Sequence, residues 1–490
     1  MSKSISIVGS GIASLSAACY LAKEGFKVRI IEKNSEIGGR ARKFEHNGFS
    51  FDMGPSWYWM PDVFERFYND FGKKTSDFYD LVRLNPSYKI FWDDSSSTDI
   101  PSNYEELKVL FESLEEGSAT KLDIFLSEAQ YKYDIGINEL VRKPSLKASE
   151  FIDIRILKGV FNMHLFSSFS KHIRKYFSHP KILSILEFPV LFLGAMPAET
   201  PALYSLMNYA DIKLGTWYPM GGMNKFIEAF ESIALELGVE IIKNTEITGI
   251  KYENRKVKCL ESKENSFESE YFISGADYAH TDANILNGKA NYNDKYWSSR
   301  TMAPSSLIFY VGVDKKLENI EHHNLFFDES LDIHGQEIYK TKKWPSSPLF
   351  YMCVPSKTDN SVAPEGMENL FFLIPIAPDL HDDEAKREEY FKILLKRLKL
   401  RTGNDIENHI VYKRSYCIKD FKNDYHAFKG NAYGLANTLK QTAIFKPKLK
   451  NKNLDNFYYT GQLTVPGPGV PPSIISGEVV AKEIINKFKQ

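Results

Sequence analysis

Four cysteines are spread through 490 residues, at positions 19, 259, 353 and 417. None forms a CxxC pair and none has metal-ligand spacing, so the expectation is reduced thiols in a cytosolic setting, with no metal site. Long hydrophobic runs are also missing. No apolar stretch approaches the roughly 20 residues of a membrane-spanning helix, and "MSKSISIVGSG" carries too short an apolar run for a signal peptide. Charge of one sign is lacking too. The net charge is −1, with no basic or acidic tail, which leaves no field for nucleic acid. There is no internal repeat and no low-complexity segment.

Aromatic residues are abundant: 34 Phe, 27 Tyr and 6 Trp make 14% of the chain. They fit a well-packed core or an apolar tunnel with flat walls, and composition alone leaves both open. The length exceeds one compact core and predicts two or three lobes.

The N-terminus carries the clearest local signal. "SISIVGSG" reads as a buried strand running into Gly9. "ASLSAACYLAKEG" reads as a helix from about Ile12, closed by Gly25. "FKVRIIEKN" is a second strand ending at Glu32. Strand, glycine turn, helix, strand and acid make a dinucleotide-binding unit. Gly9 allows the tight turn, Gly11 lets a pyrophosphate approach, and the third position must be small for helix-on-strand packing. Ser14 stands there instead of glycine, which is small enough but weakens the motif. The helix N-terminus faces phosphates with free N–H groups, and Glu32 is placed for a ribose. Gly38, Gly39 and Arg40 follow, a second element in which a guanidinium can neutralise pyrophosphate.

Further along, "PDVFERFYNDFG" and "NYEELKVLFESLEEG" read as amphipathic helices closed by glycine, and a long helix is expected from about Ser118 to Val141. Residues 150–193 mix Phe and Leu with His164, Lys171, His172, Arg174 and Lys175. They fit a buried helix pair with a solvated cationic face, or a helix lying in a membrane interface. The α/β pattern resumes at "TWYPMGGM", passes through a hairpin at 253–255, and returns at "SFESEYFISGAD". Near the C-terminus, "NFYYTG" reads as a strand into Gly461, "VPGPGVPP" as a rigid loop, and "PSIISGEVVAKEII" as a helix with prolines in its first turn. Gly477 inside that helix predicts close packing on another backbone.

Taken in order, "VGSGIASLSAACYLAKEGFKVRIIEKNSEIGGRARKF", "FDMGPSW", "TWYPMGGM", "SGAD" and "GQLTVPGPGVPPSIISG" resemble the bacterial phytoene desaturase family of carotenoid desaturases, over nearly the whole chain. The resemblance implies an α/β, amine-oxidase-like fold: a Rossmann-like FAD-binding domain interrupted by a mixed α+β substrate domain and a helical, membrane-facing lobe. The expected boundaries are 1–90, 206–285 and 446–490 for the FAD-binding parts, 91–205 for the helical lobe and 286–445 for the substrate domain. It implies FAD held by Gly9, Gly11, Ser14, Glu32, Gly39, Arg40, Ile247, Gly461 and Val470. It further implies a C40 polyene substrate, phytoene, desaturated stepwise to lycopene, and an electron acceptor such as oxygen or quinone. The implied location is the inner face of the cytoplasmic membrane, where Lys446, Lys448, Lys450 and Lys452 could meet anionic lipid or simply be solvated. No constellation marks a catalytic base; His164, His172 and Arg174 are candidates by location only. The same fold leaves open a desaturase of hydroxylated or shorter carotenoids, an amine oxidase, and a flavin-free prenyl-protein binding factor.

Overall fold

The computed structural model describes residues 3–146, 167–191 and 194–489. A five-stranded, all-parallel sheet runs in the order 457–459, 271–274, 4–8, 27–31, 240–242. Its strands come from widely separated stretches of sequence, so the nucleotide-binding unit is interrupted and resumed. The "SISIV" and "KVRII" strands are buried at most positions, as strands covered on both faces must be.

The helix Ile12–Lys23 is buried without a break from Ala13 to Leu21. A polar face would be wasted here, because the helix is enclosed by the sheet and by the helices Lys225–Glu236 and Val470–Lys489. Gly477 makes the closest of these contacts. A Cβ there would stand 2.4 Å from the Ala13 carbonyl oxygen and 2.7 Å from the Ala17 nitrogen. Only glycine permits the two backbones to meet.

A second, seven-stranded sheet runs in the order 410–416, 305–313, 368–376, 350–353, 323–327, 88–92, 97–100. It is antiparallel except where 323–327 pairs with 88–92. Period-two alternation divides its two faces. Leu307, Phe309 and Val311 join a core with Tyr390, Phe391, Leu394 and Leu398 of the helix Glu384–Thr402. Each such side chain contributes about 1.5–3 kcal/mol by leaving water. The alternate residues, Ile308 and Tyr310, belong to the larger core on the opposite face.

The segment expected to open a helical lobe at residue 91 differs. Tyr88–Trp92 and Ser97–Ile100 form a hairpin at the edge of the seven-stranded sheet, and helix begins only at Tyr104. All five residues of "YKIFW" are buried, since this strand pairs on both sides. Of the 150–193 stretch, the described part holds helices at Phe169–Ile173 and Pro180–Leu191. Among the described residues, no helix is long and apolar enough to cross a membrane.

Candidate functional site

One cavity of about 400 Å3 opens where the two sheets approach each other. All nine residues expected to hold the flavin lie on its wall: Gly9, Gly11, Ser14, Glu32, Gly39, Arg40, Ile247, Gly461 and Val470. Topology explains the convergence. Gly9, Glu32, Gly275 and Gly461 follow the carboxyl ends of parallel strands, where α/β sheets bind ligands.

The glycine loop is built for close approach. Gly9 has φ +83°, a left-handed conformation that strains other residues. Gly11 begins the first helix, no side chain caps that helix, and a Cβ on Gly11 would meet nothing within 4 Å. Open space therefore lies beside uncapped N–H groups. The second glycine element closes onto the first: the Gly38 N–H donates to the Ser10 carbonyl at 3.0 Å, and a Gly39 Cβ would sit 3.3 Å from Gly11 Cα.

Ser14 replaces the third glycine at the expense of its neighbour. A Cβ on Gly275 would lie 1.9 Å from Ser14 Oγ. The hydroxyl fits because the facing strand end is itself glycine, and Ser14 Oγ is buried with no hydrogen-bond partner among the described residues.

Glu32 is buried and fully engaged. One carboxylate oxygen accepts from the Ser10 N–H at 2.8 Å and its hydroxyl at 2.7 Å; the other accepts from the Asn34 N–H at 2.8 Å and its amide at 2.9 Å. A ribose hydroxyl would reach it by taking the place of the Ser10 hydroxyl or the Asn34 amide. Arg40 is half-buried over the Tyr425 ring, 5.0 Å from its centroid, and donates to the Asn431 carbonyl at 3.3 Å. Its Nε has no partner among the described residues. Burial pushes its pKa down while Asp277 opposes the shift, and the same burial pushes Asp277 up. Nearby, His280 stacks on His426 at 4.0 Å and is pushed down to about 4, chiefly by burial and then by His426. Gly461 is fixed by the Ser476 hydroxyl, which accepts its N–H at 2.9 Å. Val470 starts a helix whose next two residues are prolines. Uncapped N–H groups, buried unpartnered donors and a glycine-lined opening together fit a dinucleotide.

The wall changes character at the seven-stranded sheet. Trp57, Trp59, Met60, Ile308, Tyr351 and Leu373 line it there. Tyr351 donates to Ser56 at 3.0 Å and is bound to His323 Nδ1 at 2.7 Å. Trp57 stacks on His323 at 4.0 Å and 13°. Sequence reasoning did not assign these residues a role, although Met53 to Trp57 of "FDMGPSW" all contribute to the wall. "TWYPMGGM" acts at one remove: the Met223 and Asn224 N–H groups hold the Asp52 carboxylate at 2.7 and 2.9 Å.

His172 and Arg174 are not on this wall. His172 is buried beside Lys132 at 3.3 Å, and Arg174 pairs with Glu187 at 2.6 Å. His164 lies outside the described residues. Lys446 departs from both readings of the lysine run, whereas Lys452 is exposed. It is buried, donates to Asn437 at 2.9 Å, and burial pushes its pKa down to about 7. Lys448 is partly buried, donating to the Ser145 carbonyl at 2.8 Å.

The flavin containing amine oxidoreductase family matches residues 12–485. A carotenoid 3,4-desaturase of Haloarcula japonica is 39% identical over 98% of both chains. The chain belongs to this family, among its carotenoid desaturases. A phytoene desaturase of Fusarium fujikuroi is 29% identical over 99% of this chain and 89% of the relative. An oxidoreductase of Methanosarcina mazei shares the fold, with a TM-score of 0.64 at 16% identity over 98% of this chain and 100% of its own. This carotenoid desaturase is therefore an FAD-dependent oxidoreductase acting on CH–CH bonds of a polyene, with an amine-oxidase-like fold. The readings as an amine oxidase and as a flavin-free binding factor give way to it.

Proposed function

We propose that this desaturase converts phytoene to lycopene in successive steps. The observation that carries the reading is the lining of the cavity beside the seven-stranded sheet. It is aromatic and aliphatic, and its Ser56 and Tyr351 hydroxyls are already engaged with each other and with His323. Away from Ser306, whose hydroxyl has no hydrogen-bond partner among the described residues, a substrate hydroxyl placed there would lose its hydrogen bonds to water without a ready replacement, which costs about 1–3 kcal/mol. A plain hydrocarbon suffers no such loss, and it can slide along one channel between rounds.

FAD would be held by Gly9, Gly11 and the uncapped helix start at its pyrophosphate, by Glu32 at its ribose and by Arg40 as the neutralising cation, with Ser14, Gly39, Ile247, Gly461 and Val470 completing the wall. Bound there, FAD supplies the hydride acceptor that the protein lacks. The chain's own residues orient the polyene and exclude water. The electron acceptor would be oxygen or a quinone. Because the substrate is insoluble in water, the protein would sit peripherally on the inner face of the cytoplasmic membrane. Retention in the supernatant after low-salt liposome sedimentation would count against that location.

A second reading, 3,4-desaturation of a later carotenoid, is favoured by the 39% identical relative. Expression in a host that makes phytoene and nothing further separates the two. Lycopene as product supports the first. Unchanged phytoene, beside conversion of a supplied hydroxylated carotenoid or lycopene, supports the second.

A further inference from the structure

Ser56 also borders a second, smaller cavity of about 20 Å3, whose wall includes Asp52, His322 and Cys353. That is room for one water or one ion, since a single water needs about 10–15 Å3. His322 and His323 are consecutive, and His323 stands opposite Cys353 in the antiparallel pairing of 323–327 with 350–353. One nitrogen from each imidazole and the Cys353 sulfur lie within 4.8 Å of one another, and all three residues are buried.

Hydrogen bonding orients both rings. His322 Nδ1 meets Thr358 Oγ1 at 2.7 Å, and His323 Nδ1 meets the Tyr351 hydroxyl at 2.7 Å. Tyr351 gives its proton to Ser56, so His323 Nδ1 must donate to Tyr351. His323 Nε2 is then a bare lone pair. Both Nε2 atoms are buried without a hydrogen-bond partner among the described residues. Two imidazoles fixed through Nδ1, each with an unpartnered Nε2, have the supporting bonds that orient metal ligands.

We propose that His322, His323 and Cys353 bind one zinc ion, through both Nε2 atoms and the thiolate, with a water in the small cavity as fourth ligand. Mixed nitrogen and sulfur donors suit zinc over calcium or magnesium. On binding, the ion replaces the thiol proton, which leaves to solvent, and no group changes oxidation state. Asp52, across the cavity, accepts a hydrogen bond from the bound water. The ion ties together two strands of the seven-stranded sheet and the 52–57 segment. Through His323 it fixes Trp57 and Tyr351 at the wall of the larger cavity. These are positioning roles, and the site rests on neither reading of the carotenoid substrate.

The test uses the full-length, FAD-loaded protein, purified without metal-affinity resin and stripped by dialysis against a chelator. Co2+ is titrated first and Zn2+ is then added in competition. One equivalent of Co2+ should bind, giving tetrahedral visible bands to the red of the flavin absorption and, in the difference spectrum against the metal-free protein, a near-ultraviolet thiolate-to-cobalt charge-transfer band. Zn2+ should erase both. Cys353→Ser and His322→Gln should lose the bands, Cys417→Ser should keep them, and Thr358→Val should weaken Zn2+ binding about 10–100-fold. Wild-type protein that binds less than one equivalent, or binds Co2+ without the thiolate band, overturns the site even if the ligand variants fail to fold.

Discussion

The five-stranded sheet meets the cavity mainly with backbone, through Gly9, Gly11, Gly39, Gly275 and Gly461, whereas the seven-stranded sheet meets it with side chains such as Ile308, Tyr351 and Leu373. The first wall recognises its ligand by bare N–H groups and close approach; the second offers apolar area and flat rings. Substitutions should therefore fail differently. On the glycine wall, adding an atom is worse than removing one. On the aromatic wall, removing a polar atom should matter little.

The largest effect is expected where backbones touch. Gly477→Val drives a side chain into Ala13 and Ala17; overpacking of this kind costs about 3 kcal/mol or more, read as a loss of thermal stability and bound flavin together. Gly275→Ala, aimed at Ser14 Oγ, should cost about 1–3 kcal/mol, and adding Ser14→Gly should restore much of it. Lack of rescue would mean that Ser14 is not what demands glycine at 275.

Next come the charged groups of the nucleotide wall. Glu32→Ala and Arg40→Ala each remove charge-assisted hydrogen bonds of about 1.5–3 kcal/mol. FAD affinity measured by fluorescence titration should fall roughly 10–100-fold, while Glu24→Ala on the helix's C-terminal side leaves it unchanged. Equal losses for Glu32→Ala and Glu24→Ala would dissolve the contrast between the walls.

Lys446 gives a pH-dependent effect. Its folded pKa of about 7 lies below the ordinary lysine value of 10.5, so between these values the unfolded chain holds more protons. Its contribution to stability is complete above about pH 10.5 and is lost as pH falls toward 7. Raising the pH from 7 to 9 should raise the melting temperature of the wild type more than that of Lys446→Met. The variant should gain about 1 kcal/mol at pH 7, net of the lost Asn437 bond.

The smallest effect belongs to the aromatic wall. Tyr351→Phe gives up the bonds to Ser56 and His323, at a cost of about 0.5–1.5 kcal/mol in stability, with FAD affinity unchanged. A large fall in FAD affinity would show that the two walls are not independent.

The same contrast explains what was legible in the sequence. The glycine loop, the "GGR" element and "VPGPGVPP" are contiguous, and each glycine or proline answers a local backbone need. Their convergence on one cavity was therefore readable. Gly477 was readable too, because a glycine inside a helical pattern needs a packing reason. The aromatic wall draws on residues such as Trp57, Ile308 and Tyr351, which only strand pairing brings together, and nothing local distinguishes Tyr351 from any other core tyrosine. His322–His323 and Cys353 sit thirty residues apart and become neighbours across two strands, so cysteine spacing could not reveal them. Lys446 looked solvated because a run of alternating lysines carries no sign that one of them turns inward. The 97–100 strand fell within the stretch assigned to the helical lobe because a short edge hairpin leaves little periodicity.

The parallel sheet sets a timetable for biosynthesis. Its central strand, Ser4–Val8, emerges from the ribosome early, yet the neighbours on one side are Tyr271–Ser274 and then Phe457–Tyr459. At about 5–20 residues per second, the last of these follows by roughly tens of seconds. Until then the Ile12–Lys23 helix also lacks the partner that carries Gly477. The nascent chain must hold an open, apolar strand edge through most of its own translation, and flavin capture becomes one of the final events of maturation. Cells starved of riboflavin would accordingly accumulate full-length, unloaded protein rather than stalled fragments.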